Sequence, residues 1–254
     1  MRLAILMFAC VGLWAQCSNT SLGGGATCVS ASYTNVDTSA STIVTPGSIS
    51  VSAGDLILVG IGHVSSNDIA GTTVVCGSNT LTRLKHKFHS TEQYIVDLWY
   101  KENATSGSTT CTATLPYSAA YRTISAINIS GIASSSAADG SSCNDSGCTA
   151  LAASSTSRTA QNITTTNAND LLVGFVIDWN GGLTHTGANS YTILLNGVTP
   201  AFAAKAVAAT GSYPGGNFST TNSADQYISI FAAFKLASGG GGGSTTRRRA
   251  IITQ

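Results

Sequence analysis

The sequence predicts an all-β fold: a two-layer antiparallel β-sandwich, jelly-roll-like, assembled from two similar strand sets. Three observations carry that expectation. Short runs of β-branched and aromatic residues alternate with Gly/Ser/Asn/Asp clusters along most of the chain. Nothing sustains a capped helical period over several turns. The stretch Gly54-Asp55-Leu56-Ile57-Leu58-Val59 also returns, 115 residues on, as Asn169-Asp170-Leu171-Leu172-Val173-Gly174.

Taken in order, Met1-Arg2 and the apolar run 3–14, closed by Ala15, have the layout of a secretory signal peptide over residues 1–15. Gln16 stands where a small residue would favour acylation of Cys17, so a lipoprotein is not expected. Without Cys10, six cysteines remain: Cys17, Cys28, Cys76, Cys111, Cys143 and Cys148. An even number in an exported chain points to disulfides. Sequential pairing (Cys17 with Cys28, Cys76 with Cys111, Cys143 with Cys148) closes short polar loops at the first and last pairs. Zinc is not expected, because no Cys-x-x-Cys or Cys/His spacing suits it.

Residues 16–41 read as an N-terminal loop segment stapled by a disulfide, and residues 42–237 as one sandwich domain. Expected strands are 42–44, 56–62, 72–76, 80–87, 93–101, 109–115 and 122–129, then 161–164, 171–177, 191–195, 201–208 and 227–235. Asp55 and Asp170 each end a turn, where a carboxylate can accept backbone hydrogen bonds. The run after each lacks polar alternation, so both of its faces should be buried. The final long strands of the halves, 121–127 and 226–231, form a second echo. Residues 134–159 read as a long ordered loop, and residues 238–254 as a Gly-rich linker with a basic tail, Arg247-Arg248-Arg249.

The segments Gly54 to Val59, Gly77-Ser78-Asn79-Thr80-Leu81-Thr82, Leu98-Trp99-Tyr100-Lys101-Glu102-Asn103-Ala104, Ile127-Asn128-Ile129-Ser130-Gly131, Asn169 to Val173 and Ile230-Phe231-Ala232-Ala233-Phe234-Lys235 resemble a group of uncharacterised β-sandwich modules of bacterial secreted and phage structural proteins. The resemblance spans about residues 42–235. It implies the sandwich fold and no particular activity. Leu81, where an aromatic residue usually follows Asn-Thr, and the cysteines depart from the pattern.

Charged residues make up only 9% of the chain and the net charge is +1, which argues against a nucleic-acid partner. No apolar segment beyond the signal is long enough for a membrane helix, so the mature chain is expected to have no span. Nucleophile-elbow, zinc-protease and phosphate-loop motifs are missing. Glu92 and Glu102, the two glutamates, flank a strand that holds Asp97, but strand-end carboxylates ordinarily face solvent. His86 and His89 fall on opposite faces of an extended chain beside two lysines, and read as a surface loop rather than a metal site. The oxygen-rich loop 139–147 has a composition that calcium favours, without the spacing of an EF-hand. A ligand surface is expected around Trp179, with Asp178, Asn180 and Tyr191 supplying polar and aromatic neighbours and His185 nearby, an arrangement suited to a sugar ring. The expected role is that of an exported, non-catalytic module with a cell-surface, structural or adhesive function and a glycan or cell-surface polymer as partner. The alternatives are a carbohydrate-binding module and a secreted glycan-cleaving enzyme.

Overall fold

A computed structural model describes residues 17–36, 38–68, 70–90, 93–143, 156–178, 184–196, 200–220 and 226–238. The signal-peptide and basic-tail expectations lie outside the described residues. The fold is all-β, with several antiparallel sheets.

The strands of the first half are β1 (Thr20–Gly23), β2 (Ala26–Val36), β3 (Ala40–Val44), β4 (Ile49–Val51), β5 (Leu56–Val64), β6 (Thr73–Cys76) and β7 (Asn79–Thr80). They continue with β8 (Thr82–His89), β9 (Tyr94–Lys101), β10 (Gly107–Thr109), β11 (Cys111–Ala119) and β12 (Arg122–Ser130). The second half holds β13 (Ala138–Cys143), β14 (Ser157–Thr165), β15 (Asp170–Asp178), β16 (His185–Gly187), β17 (Thr192–Leu195), β18 (Ala201–Val207), β19 (Gly211–Thr220) and β20 (Tyr227–Lys235).

Two large sheets run β1-β2-β12-β5-β9-β8 and β13-β20-β15-β18-β17. Smaller sheets run β3-β11-β6-β7, β10-β4 and β14-β19-β16. The main strands of the halves correspond: β2-β12-β5-β9 answers to β13-β20-β15-β18, and β3-β11-β6 to β14-β19-β16. The echoed stretches are therefore β5 and β15, and the last long strands are their sheet neighbours β12 and β20.

Period-two alternation explains how the sheets stack. Leu56 and Leu58 of β5 join Leu171, Val173, Phe175 and Ile177 of β15 in one cluster between the large sheets. Ile57, Val59 and Ile61 point the other way, toward Ile43, Val74 and Ala113 of the β3-β11-β6-β7 sheet. Leu172 and Val176 likewise face Ala160, Ile163 and Phe218 of the β14-β19-β16 sheet. Both echoed strands are covered on both faces, as their uninterrupted apolar runs predict. Three cores result, where the sequence suggested one.

The repeated turn has a physical reason. Gly54 (φ 92°) and Asn169 (φ 64°) occupy the left-handed region at the same place in each half, and Gly and Asn are the residues that enter it most readily. The aspartate that follows then turns back on the turn: Asp55 accepts the Ser52 backbone N–H at 2.8 Å, and Asp170 accepts the Asn167 side-chain amide at 3.3 Å.

Several expectations need correction. Residues 16–41 are not a loop: they contain the β1–β2 hairpin and the first residues of β3, with β2 paired along its length to β12. The disulfide Cys17–Cys28 spans that hairpin, and Cys76–Cys111 joins directly opposed residues of β6 and β11. Cys143 is disulfide-bonded, while Cys148 lies outside the described residues. The 134–159 loop contains β13, and strand β19 stands where no strand is expected.

Candidate functional site

The alternation that sends Ile57, Val59 and Ile61 to the outer face of the first large sheet also sends His63 there, at the far end of β5. Its neighbour β9 presents Asp97 and Trp99 on the same face, and β8 places His86 directly opposite Asp97. A polar cluster results at the edge of the outer core. The His86 Nδ1–H donates to Asp97 Oδ1 at 2.6 Å and its Nε2–H to Asp68 Oδ1 at 2.7 Å. Asp97 is fully buried, whereas the Asp68 side chain is 60% exposed, so His86 connects a buried carboxylate to solvent. The hydrogen bond to Asp97 holds the His86 imidazole above its usual pKa, against the opposing effect of burial. Arg83 lies 3.8 Å from Asp97 and over the Trp99 ring at 5.8 Å.

His63 is the inverse case. Burial lowers its pKa to about 4, despite the nearby negative charge of Asp97, so the ring is neutral at physiological pH. Tyr117, from β11, meets His63 Nδ1 at 2.8 Å. His63 Nε2 and Asp97 Oδ2 are buried with no hydrogen-bond partner among the described residues. Ser65 donates its hydroxyl to the Asn67 carbonyl, so it is not activated by an imidazole. The cluster thus links Asp68 to Asp97 through His86. His86 falls within the expected strand 80–87 although its lysine neighbours suggest a surface loop; it stands on β8, and its pairing with Asp97 follows from strand register, which needs the fold.

Asp178 occupies in β15 the place that His63 occupies in β5, 115 residues earlier. It too is buried in a polar cluster: Arg158 Nε donates to it at 2.5 Å and His185 Nε2 lies at 2.7 Å, with all three side chains at most 1% exposed. Arg158 stacks over Tyr227 at 4.9 Å, and His185 packs edge-on to Phe218. Asn196 holds the backbone of His185 from both sides, at 2.7 and 2.8 Å.

Of the expected ligand surface, Trp179 and Asn180 lie outside the described residues. Asp178 faces the interior, and Tyr191 is buried against Phe231 with the Lys205 ammonium 5.9 Å above its ring. Burial pushes the Tyr191 hydroxyl up from its ordinary pKa. Glu102 accepts backbone N–H groups of Ser136 and Ala137, tying down the connector between the halves; Glu92 lies outside the described residues. In the loop considered for calcium, Asp139 is engaged by Thr166 and Asn167, and residues 144–147 lie outside the described residues. Among the described residues no group of three or more His, Cys, Asp or Glu side chains is placed to hold a metal ion, and no helix is long and apolar enough to cross a membrane. Two disulfides are compatible with an extracellular protein. Comparison with known proteins finds no matching family model, no matching curated relative and no matching solved structure.

Proposed function

We propose that the chain is an exported, non-catalytic module with a structural or adhesive role at a cell surface, built from two jelly-roll units. Within each unit a large sheet and a smaller one form the two layers, and the strand orders β2-β12-β5-β9 and β3-β11-β6-β7 follow the jelly-roll pattern. This keeps the chain among the secreted and phage structural sandwich modules that its strand motifs resemble. The observation that carries the reading is the engagement of three carboxylates inside the protein. Asp178 is engaged by Arg158 and His185, Glu102 by the connector backbone, and Asp55 by Ser52 and Asn128. Groups held inside by one another stabilise and orient a scaffold; they are not presented to a substrate.

The test is retention. The full chain, expressed with its leader, is expected in the culture fluid or on the cell envelope, and the purified protein is expected to sediment with intact cells or isolated wall polymer. A glycan array on the wild type and Trp179→Ala separates sugar recognition from a purely structural role. Release of reducing sugar from wall glycans, abolished in His63→Gln, would overturn the non-catalytic reading.

A further inference from the structure

Three neighbouring strands of the second large sheet, β13, β20 and β15, bring an amine and two carboxyls together. Lys235 stands directly opposite Asp170 in the β15–β20 register. An irregularity in β13 between Ala138 and Gly140 turns Asp139 toward the same spot, with Gly140 at φ 152°. Lys235 Nζ lies 3.9 Å from Asp139 Oδ1, and the Asp139 side chain is only 3% exposed.

We propose that Lys235 and Asp139 join in an intramolecular isopeptide bond, with Asp170 transferring the protons. Four observations support the bond-forming geometry. Asp139 Oδ2 accepts two backbone N–H groups, from Thr166 at 2.6 Å and Asn167 at 3.1 Å, which is the donor pair an oxyanion needs. The Thr166 hydroxyl donates to Oδ1 at 2.5 Å and holds the carboxyl plane fixed. Asp170 is fully buried directly opposite Lys235, and the negative charge of Asp139 is among the causes that raise its proton affinity. Asp170 Oδ2 is buried with no hydrogen-bond partner among the described residues.

The two acids are driven apart in proton affinity. Burial pushes Asp170 up to about 6. Burial also acts to raise Asp139, but the hydrogen bonds from Thr166 and Asn167 together outweigh it and hold this carboxyl below its ordinary value. One acid thus carries a transferable proton near neutral pH while the other is the ionised partner of the lysine.

The Lys235 ammonium passes a proton to the carboxyl pair, and Nζ attacks Cγ of Asp139. As the Nζ–Cγ bond forms, negative charge develops on Oδ2 against the Thr166 and Asn167 N–H groups. Asp170 relays protons to Oδ1, the Cγ–Oδ1 bond breaks, and Oδ1 leaves as water with the two protons the ammonium has lost. Ammonium plus carboxylate gives a neutral amide and one water, with no change of oxidation state and no co-reactant. Lys235 also lines an open surface pocket of about 420 Å³, through which the water can leave. Holding amine and carboxyl in contact supplies the effective concentration that makes amide formation competitive with hydrolysis. The first half is an internal control: Ser130 stands where the second has Lys235, and Asn128 donates its side-chain amide to Asp55. The inference rests on this geometry alone and is independent of any role at a cell surface.

Intact-mass spectrometry of the reduced full chain tests it. The wild type is expected lighter by one water than its sequence requires, and a protease digest should yield a branched peptide joining the Lys235 and Asp139 segments. Lys235→Arg and Asp139→Ala should each show the full mass and no branched peptide. Asp170→Asn, checked for folding by circular dichroism, should reduce the linked fraction at least tenfold. A wild-type chain of full mass overturns the bond. A fully linked Asp170→Asn protein removes Asp170 from the chemistry, and a branched peptide persisting in Lys235→Arg overturns the assignment of the amine.

Discussion

Phe175 fills the space above Gly60: a Cβ at Gly60 would lie 2.0 Å from the edge of the Phe175 ring. The two residues occupy the same place in the two halves. Gly62 and Ile177 repeat the relationship one pleat along, at 2.7 Å. A ring on one sheet enters a gap on the other, so the large sheets approach closely at their centres. Gly60→Ala should therefore destabilise by about 1–3 kcal/mol through overpacking, and Phe175→Ala by about 3–5 kcal/mol through a cavity. In urea titrations, Gly60→Ala combined with Phe175→Leu should recover part of the first loss; additive losses would show that the two sites do not share this space.

The buried cluster in the second half predicts a strong asymmetry. Arg158→Met leaves Asp178 buried without its guanidinium and should cost about 3–5 kcal/mol. Arg158→Met with Asp178→Leu replaces charge by apolar volume and should cost clearly less. Equal losses would mean that the pairing of the two charges is not what stabilises this site.

His63 and Asp170 have opposite pH signatures. For His63 (native about 4, ordinary value 6.5), the unfolded chain binds the extra proton, so stability falls as pH drops from 6.5 toward 4. For Asp170 (native about 6, ordinary value 3.8), the native state keeps the extra proton, so stability falls as pH rises from 3.8 toward 6. Each effect is worth about 3 kcal/mol at full extent, and the windows overlap, so the two contributions should nearly cancel between pH 4 and 6 while Lys235 and Asp139 are unlinked. His63→Gln should become more stable on acidification across that range, and Asp170→Asn less stable. Urea midpoints measured against pH check both signs, and unchanged flat profiles in the variants would refute the assignment.

Replacing the cysteines in pairs should rank the disulfides by loop length. Cys76 and Cys111 are 35 residues apart and Cys17 and Cys28 are 11 apart. Loop-closure entropy gives about 4 kcal/mol for the first pair and about 3 for the second. Thermal midpoints of the two double alanine variants should follow that order.

The central strands were legible because their side chains are large and apolar: β5, β9, β12, β15 and β20 stand close to where their aliphatic runs place them. The strands that escaped detection are made of small or polar residues. In β2, Ala31 is buried but its neighbours are Ser, Thr and Tyr, and the β-ladder to β12 supplies what the pattern lacks. Gly215 in β19 belongs to a strand because the Ala160 carbonyl passes 2.4 Å from where a Cβ would stand. The burial of Asp178 has a related reason. Beside Trp179 at a strand end, Asp178 reads as a polar neighbour of a ligand surface, yet alternation within β15 turns it toward Arg158, a partner 20 residues earlier that no local pattern reveals.

The contacts of Gly60 with Phe175 and Gly62 with Ile177 match each position to its own counterpart, which is the signature of an isologous interface with its axis between the sheets. Either half alone would present a bare apolar sheet whose most complementary cover is a second copy of itself. The two halves thus close on one another face to face, like against like.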